Sequence, residues 1–270
     1  MTAQLEVDIR PGGPGFSQSL ARGLAVLSAF TSERPLLGIS ELGRRLGLSR
    51  STAHRYVATL TSLGYLQQDA ATRKYRLGPR VLDLGFSAIN SMELRAISAP
   101  HLQQLSDETG RTVNMAILDR ADIVYVERCR SSGAGQREID LDLHVGSRLP
   151  AYCTSMGKVL LSYLEEAEQN AVLDATELVQ RGPNTLVDRV ALARELRCVR
   201  RRGLAINDEE LAYGLRSIAA PVRSLDGRAV AAINIAAHRS MVSIEDLIAR
   251  LGPPLETTAG EISARMGYRS

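Results

Sequence analysis

Apolar residues recur with a helical period at the start of this chain and alternate in strand-like fashion through its second half. Between residues 18 and 30, Leu20, Leu24, Leu27 and Phe30 stand three or four positions apart, the spacing of one helix face, with Ser19 as the expected N-cap. After a break at Pro35, Ser40 is expected to cap a short helix whose inward residues are Leu42 and Leu46. Gly43 leaves room for a close crossing, Gly47 can take the left-handed conformation that ends the helix, and Leu48 plugs the corner. Ser49 caps the next helix, which turns Ala53, Tyr56, Val57 and Leu60 inward. Helix, glycine turn and helix at these offsets form a helix-turn-helix. Residues 65–77 then read as two short strands around a turn at 69–72, a wing.

Val81, Leu82, Leu84, Gly85 and Ile89 predict a linker helix, followed by a second helix over residues 95–109. Beyond Gly110 strands are expected at 113–118, 123–129 and 139–145, with a polar, Gly-rich turn at 131–136. Helical patterns cover 155–164, 166–173 and 188–202; strands return at 203–207, 216–222 and 229–236, and a final helix spans 243–266. Asp226-Gly227 is a hairpin signal between the last two strands. The chain is therefore expected to be α+β with a mainly antiparallel sheet. Its divisions are a flexible leader (1–16), a winged helix-turn-helix (17–78), a linker helix (79–94) and a sheet domain (95–270).

Composition narrows the class. The 270 residues suit two domains, and a hydrophobic content of 44% excludes global disorder. No apolar run approaches the ~18–20 residues that cross a bilayer. The first fifteen residues carry acids and no apolar core, so they do not read as a secretory signal. Cys129, Cys153 and Cys198 are odd in number and lack metal-ligand spacing, which points to a reduced cytoplasm, no metal and no cofactor. The net charge of +3 is unevenly spread. Residues 40–80 hold eight basic side chains and two acidic ones, a local +6; residues 1–39 balance, and 81–270 carry −3. A concentrated positive segment is the footprint of phosphate binding.

The second helix of the motif is expected to enter the major groove of operator DNA with its N-terminal residues at the base edges. Ser49, Arg50, Ser51, Thr52 and Arg55 lie there, on the side away from the apolar face. Arg50 and Arg55 suit guanine edges or phosphates, and the hydroxyls suit either. Arg73 and Lys74 stand where the wing would touch the sugar–phosphate backbone.

Three stretches resemble the isocitrate-lyase-regulator (IclR) family of bacterial regulators: residues 19–27, 149–161 and 203–222. Many members carry Asp where Asn207 stands and Cys where Ser217 stands. Those departures, with residues 152–156, are similar to the branch that regulates protocatechuate and β-ketoadipate catabolism. The resemblance implies a GAF-like effector-binding domain and a homodimer formed through the DNA-binding domains, often paired into a tetramer. By position it implies an effector pocket lined by Ser155, Met156, Asn207, Leu215 and Ser217. The expected effector is a small organic acid: protocatechuate, β-ketoadipate or 4-hydroxybenzoate. A related regulator of another carbon-source pathway, answering a different carboxylic acid, is the alternative. The residues add a physical reason for an acid. Thr154, Ser155 and Gly157 precede or open a helix, where free backbone N–H groups favour a carboxylate. Asn in place of Asp at 207 removes a repelling charge.

A remote alternative is an enzyme with a DNA-binding appendage, in which Cys153 is a nucleophile activated by the same helix N-terminus. His101, His144 and His238 stand in no partner motif, and no nucleotide-binding or nucleophile-elbow sequence occurs. The chain is therefore not expected to be an enzyme. An architectural DNA binder would leave the non-basic second half unexplained. The expected mechanism is linkage: a ligand that favours one conformation of the C-terminal domain changes operator affinity.

Overall fold

The computed structural model describes residues 15–31, 33–90, 93–131 and 143–269. The expected leader lies almost wholly outside these residues, as do the Gly-rich turn and most of the strand expected at 139–145. The chain separates into two compact units. Helices α1 (Gln18–Ser28), α2 (Ile39–Arg45), α3 (Arg50–Ser62) and α4 (Arg80–Asn90) and strands β1 (Leu66–Gln68) and β2 (Tyr75–Leu77) make the first.

The core of this unit is Val26, Phe30, Leu37, Leu42, Val57 and Leu66, each under 8% exposed. Burying a side chain of this size stabilises the fold by about 1.5–3 kcal/mol. Three local expectations are corrected. Ser17, not Ser19, caps α1, its hydroxyl accepting from Leu20 N at 3.3 Å. Gly38 stands at the N-cap of α2, so Ser40 lies inside the helix. On α1 the buried stripe is Ala21, Ala25 and Val26, while Leu20 and Leu24 are 64% and 51% exposed. Small residues let α1 lie close to α3; Leu20 and Leu24 face away, while Leu27 and Phe30 of the same period reach the core.

The second unit is one six-stranded antiparallel sheet with helices on both faces, in the strand order β5-β4-β3-β8-β7-β6. Its strands are β3 (Thr112–Asp119), β4 (Asp122–Cys129), β5 (Arg148–Pro150), β6 (Ala205–Asp208), β7 (Leu215–Arg223) and β8 (Ala229–His238). Alternation sorts their side chains. Val113, Met115, Ile218, Ala220, Ile233 and Ile235 face one core, packed with α5 (Glu93–Thr109) and α10 (Gly252–Arg265). Ala116, Ala219 and Ala232 face the other, beneath α6 (Ser155–Ser162) and α8 (Arg189–Arg202). Helix α7 (Glu166–Asp174) lies between these two in sequence, with its Leu173 in the second core. The final helix is not continuous. Following α9 (Ile244–Asp246), one π-helical turn spans Leu247–Leu251 before α10. Pro253 and Pro254 lack the N–H groups that regular α-helical bonding to the preceding turn requires.

Candidate functional site

In the first unit, Ser49 is the N-cap of α3, and its hydroxyl accepts from Thr52 N at 3.2 Å. The same oxygen lies 2.9 Å from the Thr52 hydroxyl and 3.0 Å from that of Ser51. Ser49, Arg50, Ser51 and Arg55 are exposed and Thr52 is half-buried; Ala53 and Val57 point into the core. Gly43 is pressed against the turn before α3: a Cβ there would stand 2.9 Å from the Leu48 carbonyl oxygen. The same Cβ would stand 3.7 Å from Ala53 Cβ on α3, so α2 crosses close to both the turn and the helix that follows it.

β1 and β2 pair antiparallel, Gln68 opposite Tyr75. The loop between them is closed by Asp69, whose Oδ1 accepts from Thr72 N at 2.8 Å and from the Thr72 hydroxyl at 2.7 Å. Those hydrogen bonds hold the Asp69 carboxyl below its ordinary range. Arg73, in a left-handed conformation (φ 58°), and Lys74 are both exposed on this loop.

In the second unit, a cavity opens on the sheet where α6 begins. The sheet rows explain it. Ala116 pairs with Ala232 under the helix; the next row is Asn114 with Asn234, and the next is Thr112, Ala236, Ser217 and Asn207. The alanines let α6 sit low, and the polar rows begin beyond its N-terminus. The cavity, about 670 Å³ counted out to its open mouth, is lined by Thr154, Ser155, Asn207, Leu215 and Ser217 among others. Met156 is not on this wall. It is 1% exposed within the core beneath α6, because the helix carries it away from the opening.

The expected residues are tied together. The Ser155 and Ser217 hydroxyls are 2.7 Å apart. Asn207 Nδ2 donates to the Cys153 carbonyl at 2.7 Å, and its Oδ1 accepts from Glu210 N at 3.1 Å. The expectation of free amides at Thr154 and Gly157 is corrected. Thr154 N donates to the Ala151 carbonyl, and Gly157 N donates to the Thr154 hydroxyl at 3.1 Å. Among the described contacts, Ser155 N and Met156 N are the amides left without a partner at this helix start.

The opposite side of the cavity was not legible as a site. Arg111, Thr112, Asn114, Tyr125, Arg128 and Asn234 line it. Asn114 Nδ2 donates to Asn234 Oδ1 at 2.8 Å, and Arg128 donates to Asn114 Oδ1 at 3.4 Å. Burial pushes the Tyr125 phenol up to about 12, so it remains a donor at neutral pH. Among the described residues, the lining includes two guanidinium groups and no Asp or Glu. One signal could have found these residues: Asn114 and Asn234 are polar positions flanked on each side by buried apolar ones.

Cys153 is fully buried, and burial pushes its thiol up to about 12. Desolvation thus outweighs the expected activation by the helix N-terminus, and the group stays a neutral thiol. Beneath the site, Lys158 is buried on α6 with its ammonium on the Glu210 carboxylate. Among the described residues no group of His, Cys, Asp and Glu could hold a metal ion, and no helix is long and apolar enough to cross a membrane.

A winged helix-turn-helix on one unit and a polar-ended cavity on the other are the parts of a DNA-binding transcriptional regulator. The chain belongs to the IclR family: residues 19–70 match the IclR helix-turn-helix domain, and residues 86–264 match the bacterial transcriptional regulator IclR C-terminal domain. It is 39% identical over 244 residues to the Pca regulon regulatory protein of Pseudomonas putida, covering 90% of this chain and 82% of that one. It is 34% identical over 244 residues to the p-hydroxybenzoate hydroxylase transcriptional activator of Acinetobacter baylyi, covering 90% and 89%. An IclR homologue from Microbacterium hydrocarbonoxydans, crystallised with 4-hydroxybenzoate, is 27% identical with a TM-score of 0.77, over 92% of this chain and 99% of that one.

Proposed function

We propose that the protein controls genes of aromatic-acid catabolism, changing its operator affinity when a small organic acid occupies the cavity at the start of α6. The observation that carries this reading is the cavity itself. Among the described residues, two arginines, a serine pair and Asn207 line it without a carboxylate, a lining suited to an anion of modest size. The solved homologue bound to 4-hydroxybenzoate adds that acid to try, beside the protocatechuate and β-ketoadipate that the family resemblance implies. Thr154, Ser155, Asn207, Leu215 and Ser217 are the effector-contacting residues, with Met156 supporting them from the core.

Operator contacts come from Ser49, Arg50, Ser51, Thr52 and Arg55 on α3, and from Arg73 and Lys74 on the wing. The active form is a homodimer, or a dimer of dimers, paired through the first unit. The exposed Leu20 and Leu24 on α1 and Leu82 and Leu84 on α4 support that pairing. Titration calorimetry with the three acids, together with gel shifts on operator DNA, tests the reading. Binding of at least one acid with a change in operator affinity is expected. No binding by any of them would overturn the aromatic-acid assignment.

A further inference from the structure

We infer that a second cleft, on the outer face of α8, binds a short chain of linked phosphates, either inorganic or the tail of a nucleotide. Helix α8 carries six arginines and one glutamate. Its Leu192, Leu196 and Val199 are buried, and that packing turns the positions between them outward. Arg194, Arg197 and Arg201, three and then four residues apart, are exposed on one face of the helix, the spacing at which helical side chains are neighbours. With Arg200 they border a cleft of about 690 Å³ counted out to its open mouth, which Ser162 of α6 and Gln169 of α7 complete. The cleft shares no lining residue with the cavity at the start of α6.

The positive charge in this cleft is available to a ligand. Arg189 and Arg202, which do not line it, are paired with Asp174 and Glu195. Glu195, the one acid of the helix, also lies 4.0 Å from the Lys158 ammonium on α6. Arg200 lies over the Tyr163 ring at 4.1 Å, and Arg201 directs one nitrogen at Cys198 Sγ, 3.3 Å away; these contacts position both guanidinium groups and neutralise neither. Among the described residues Arg194 and Arg197 have no ion-pair partner, and no Asp or Glu lines the cleft. Like charges this close on a helix repel one another, and a polyanion relieves the repulsion. The row of Arg194, Arg197 and Arg201 extends over about 10 Å of helix axis. Each guanidinium offers a planar fork that matches two phosphate oxygens, so linked phosphates can engage forks that a single phosphate leaves empty. The surroundings favour a compact ligand. Residues 81–270 carry −3 in total, so a long nucleic acid laid across this unit would meet repulsion beyond the cleft, whereas a short phosphate chain stays within it.

Half-buried Cys198 lines the cleft and gives a local readout beside calorimetry, both on the full chain at fixed salt. Tripolyphosphate is expected to bind about tenfold more tightly than orthophosphate and to slow alkylation of Cys198 by iodoacetamide, an uncharged reagent. Arg194→Gln with Arg197→Gln should weaken tripolyphosphate by about tenfold or more and abolish the protection. Both side chains are exposed, so thermal unfolding should be unchanged. Arg194→Lys with Arg197→Lys keeps the charge without the fork and should lose less. Arg50→Ala with Arg55→Ala, on the basic first unit, should leave the protection intact, which separates the cleft from the reading head. ATP protecting as well as tripolyphosphate would assign recognition to the phosphate tail of a nucleotide as well, and protection by tripolyphosphate alone would assign it to the inorganic chain. Undiminished affinity in the double Gln variant, or alkylation of Cys198 that tripolyphosphate does not slow in the wild type, would overturn the cleft. Protection by nonspecific duplex DNA and not by tripolyphosphate would also overturn it and give this face to nucleic acid. None of these variants alters the lining of the acid cavity, so the aromatic-acid reading stands or falls separately.

Discussion

Asn207 on β6 joins the loop before α6 to the turn after its own strand, donating to the Cys153 carbonyl at 2.7 Å while accepting from Glu210 N at 3.1 Å. The amide does both at once, whereas an ionised carboxylate at the same position has no proton to give. Asn207→Asp should therefore lower stability by about 1–3 kcal/mol at neutral pH. It should also weaken acid binding, because the new charge lies on the cavity wall. Denaturant unfolding and calorimetry measure the two effects; an unchanged midpoint would contradict the tie.

Lys158 and Glu210 are a buried ion pair, and burial holds the Glu210 carboxyl above its ordinary range despite the opposing pull of Lys158. Lys158→Met leaves that carboxylate without its cation and should cost about 3–5 kcal/mol near pH 8. The sign with pH follows from the raised value. The native state binds the proton more tightly than the unfolded chain, so stability is lost as pH rises above the unfolded value of 4.5. The damage in Lys158→Met should thus shrink toward pH 5, and Glu210→Gln added to it should recover part of the loss at pH 8. An equal loss at pH 5 and pH 8 would refute this account.

Thiol reactivity should follow burial rather than helix position. Cys153 and Cys129 are buried, with thiols pushed up to about 12 and about 11, while Cys198 is half-buried on α8. A native-state titration with a disulfide reagent at pH 8 is expected to modify Cys198 first, and Cys153 only on unfolding. Rapid modification of Cys153 would show that its helix N-terminus prevails after all.

Two glycines of the first unit should respond to alanine with opposite signs. Gly43→Ala places a methyl 2.9 Å from the Leu48 carbonyl oxygen, which must shift with the start of α3. A loss of about 1–3 kcal/mol and weaker operator binding are expected. Gly23 lies within α1, and the nearest atom to an added Cβ is 4.0 Å away on Tyr56. Gly23→Ala should stabilise by about 0.5–1 kcal/mol. Thermal unfolding of the pair decides the matter.

The reading head gives a salt test. Arg55→Ala should weaken specific operator binding by about 1–3 kcal/mol if its guanidinium meets a base edge. Arg73→Ala and Lys74→Ala should weaken specific and nonspecific DNA alike, each reducing the slope of log affinity against log salt by roughly 1 per wing. An unaltered slope in the Arg73, Lys74 double variant would remove the wing from the interface.

The reading head was open to inference from the linear chain because its determinants are local. A cap at Ser49, a left-handed glycine at 47 and apolar residues at helical offsets specify a helix-turn-helix within about twenty residues. The strands of the second unit were legible for the same reason, since alternation records two covered faces. Local pattern failed where partners are distant. Period alone could not say that the first turns of α1 bury Ala21 and Ala25 and leave Leu20 and Leu24 exposed; that choice belongs to the packing of α1 in the core of its unit. Nor could it join Asn114 to Asn234, 120 positions away, or set Arg128 beside them. Strand order and register create that side of the cavity, because hydrogen-bonded neighbours in a sheet are chosen by topology and not by proximity along the chain.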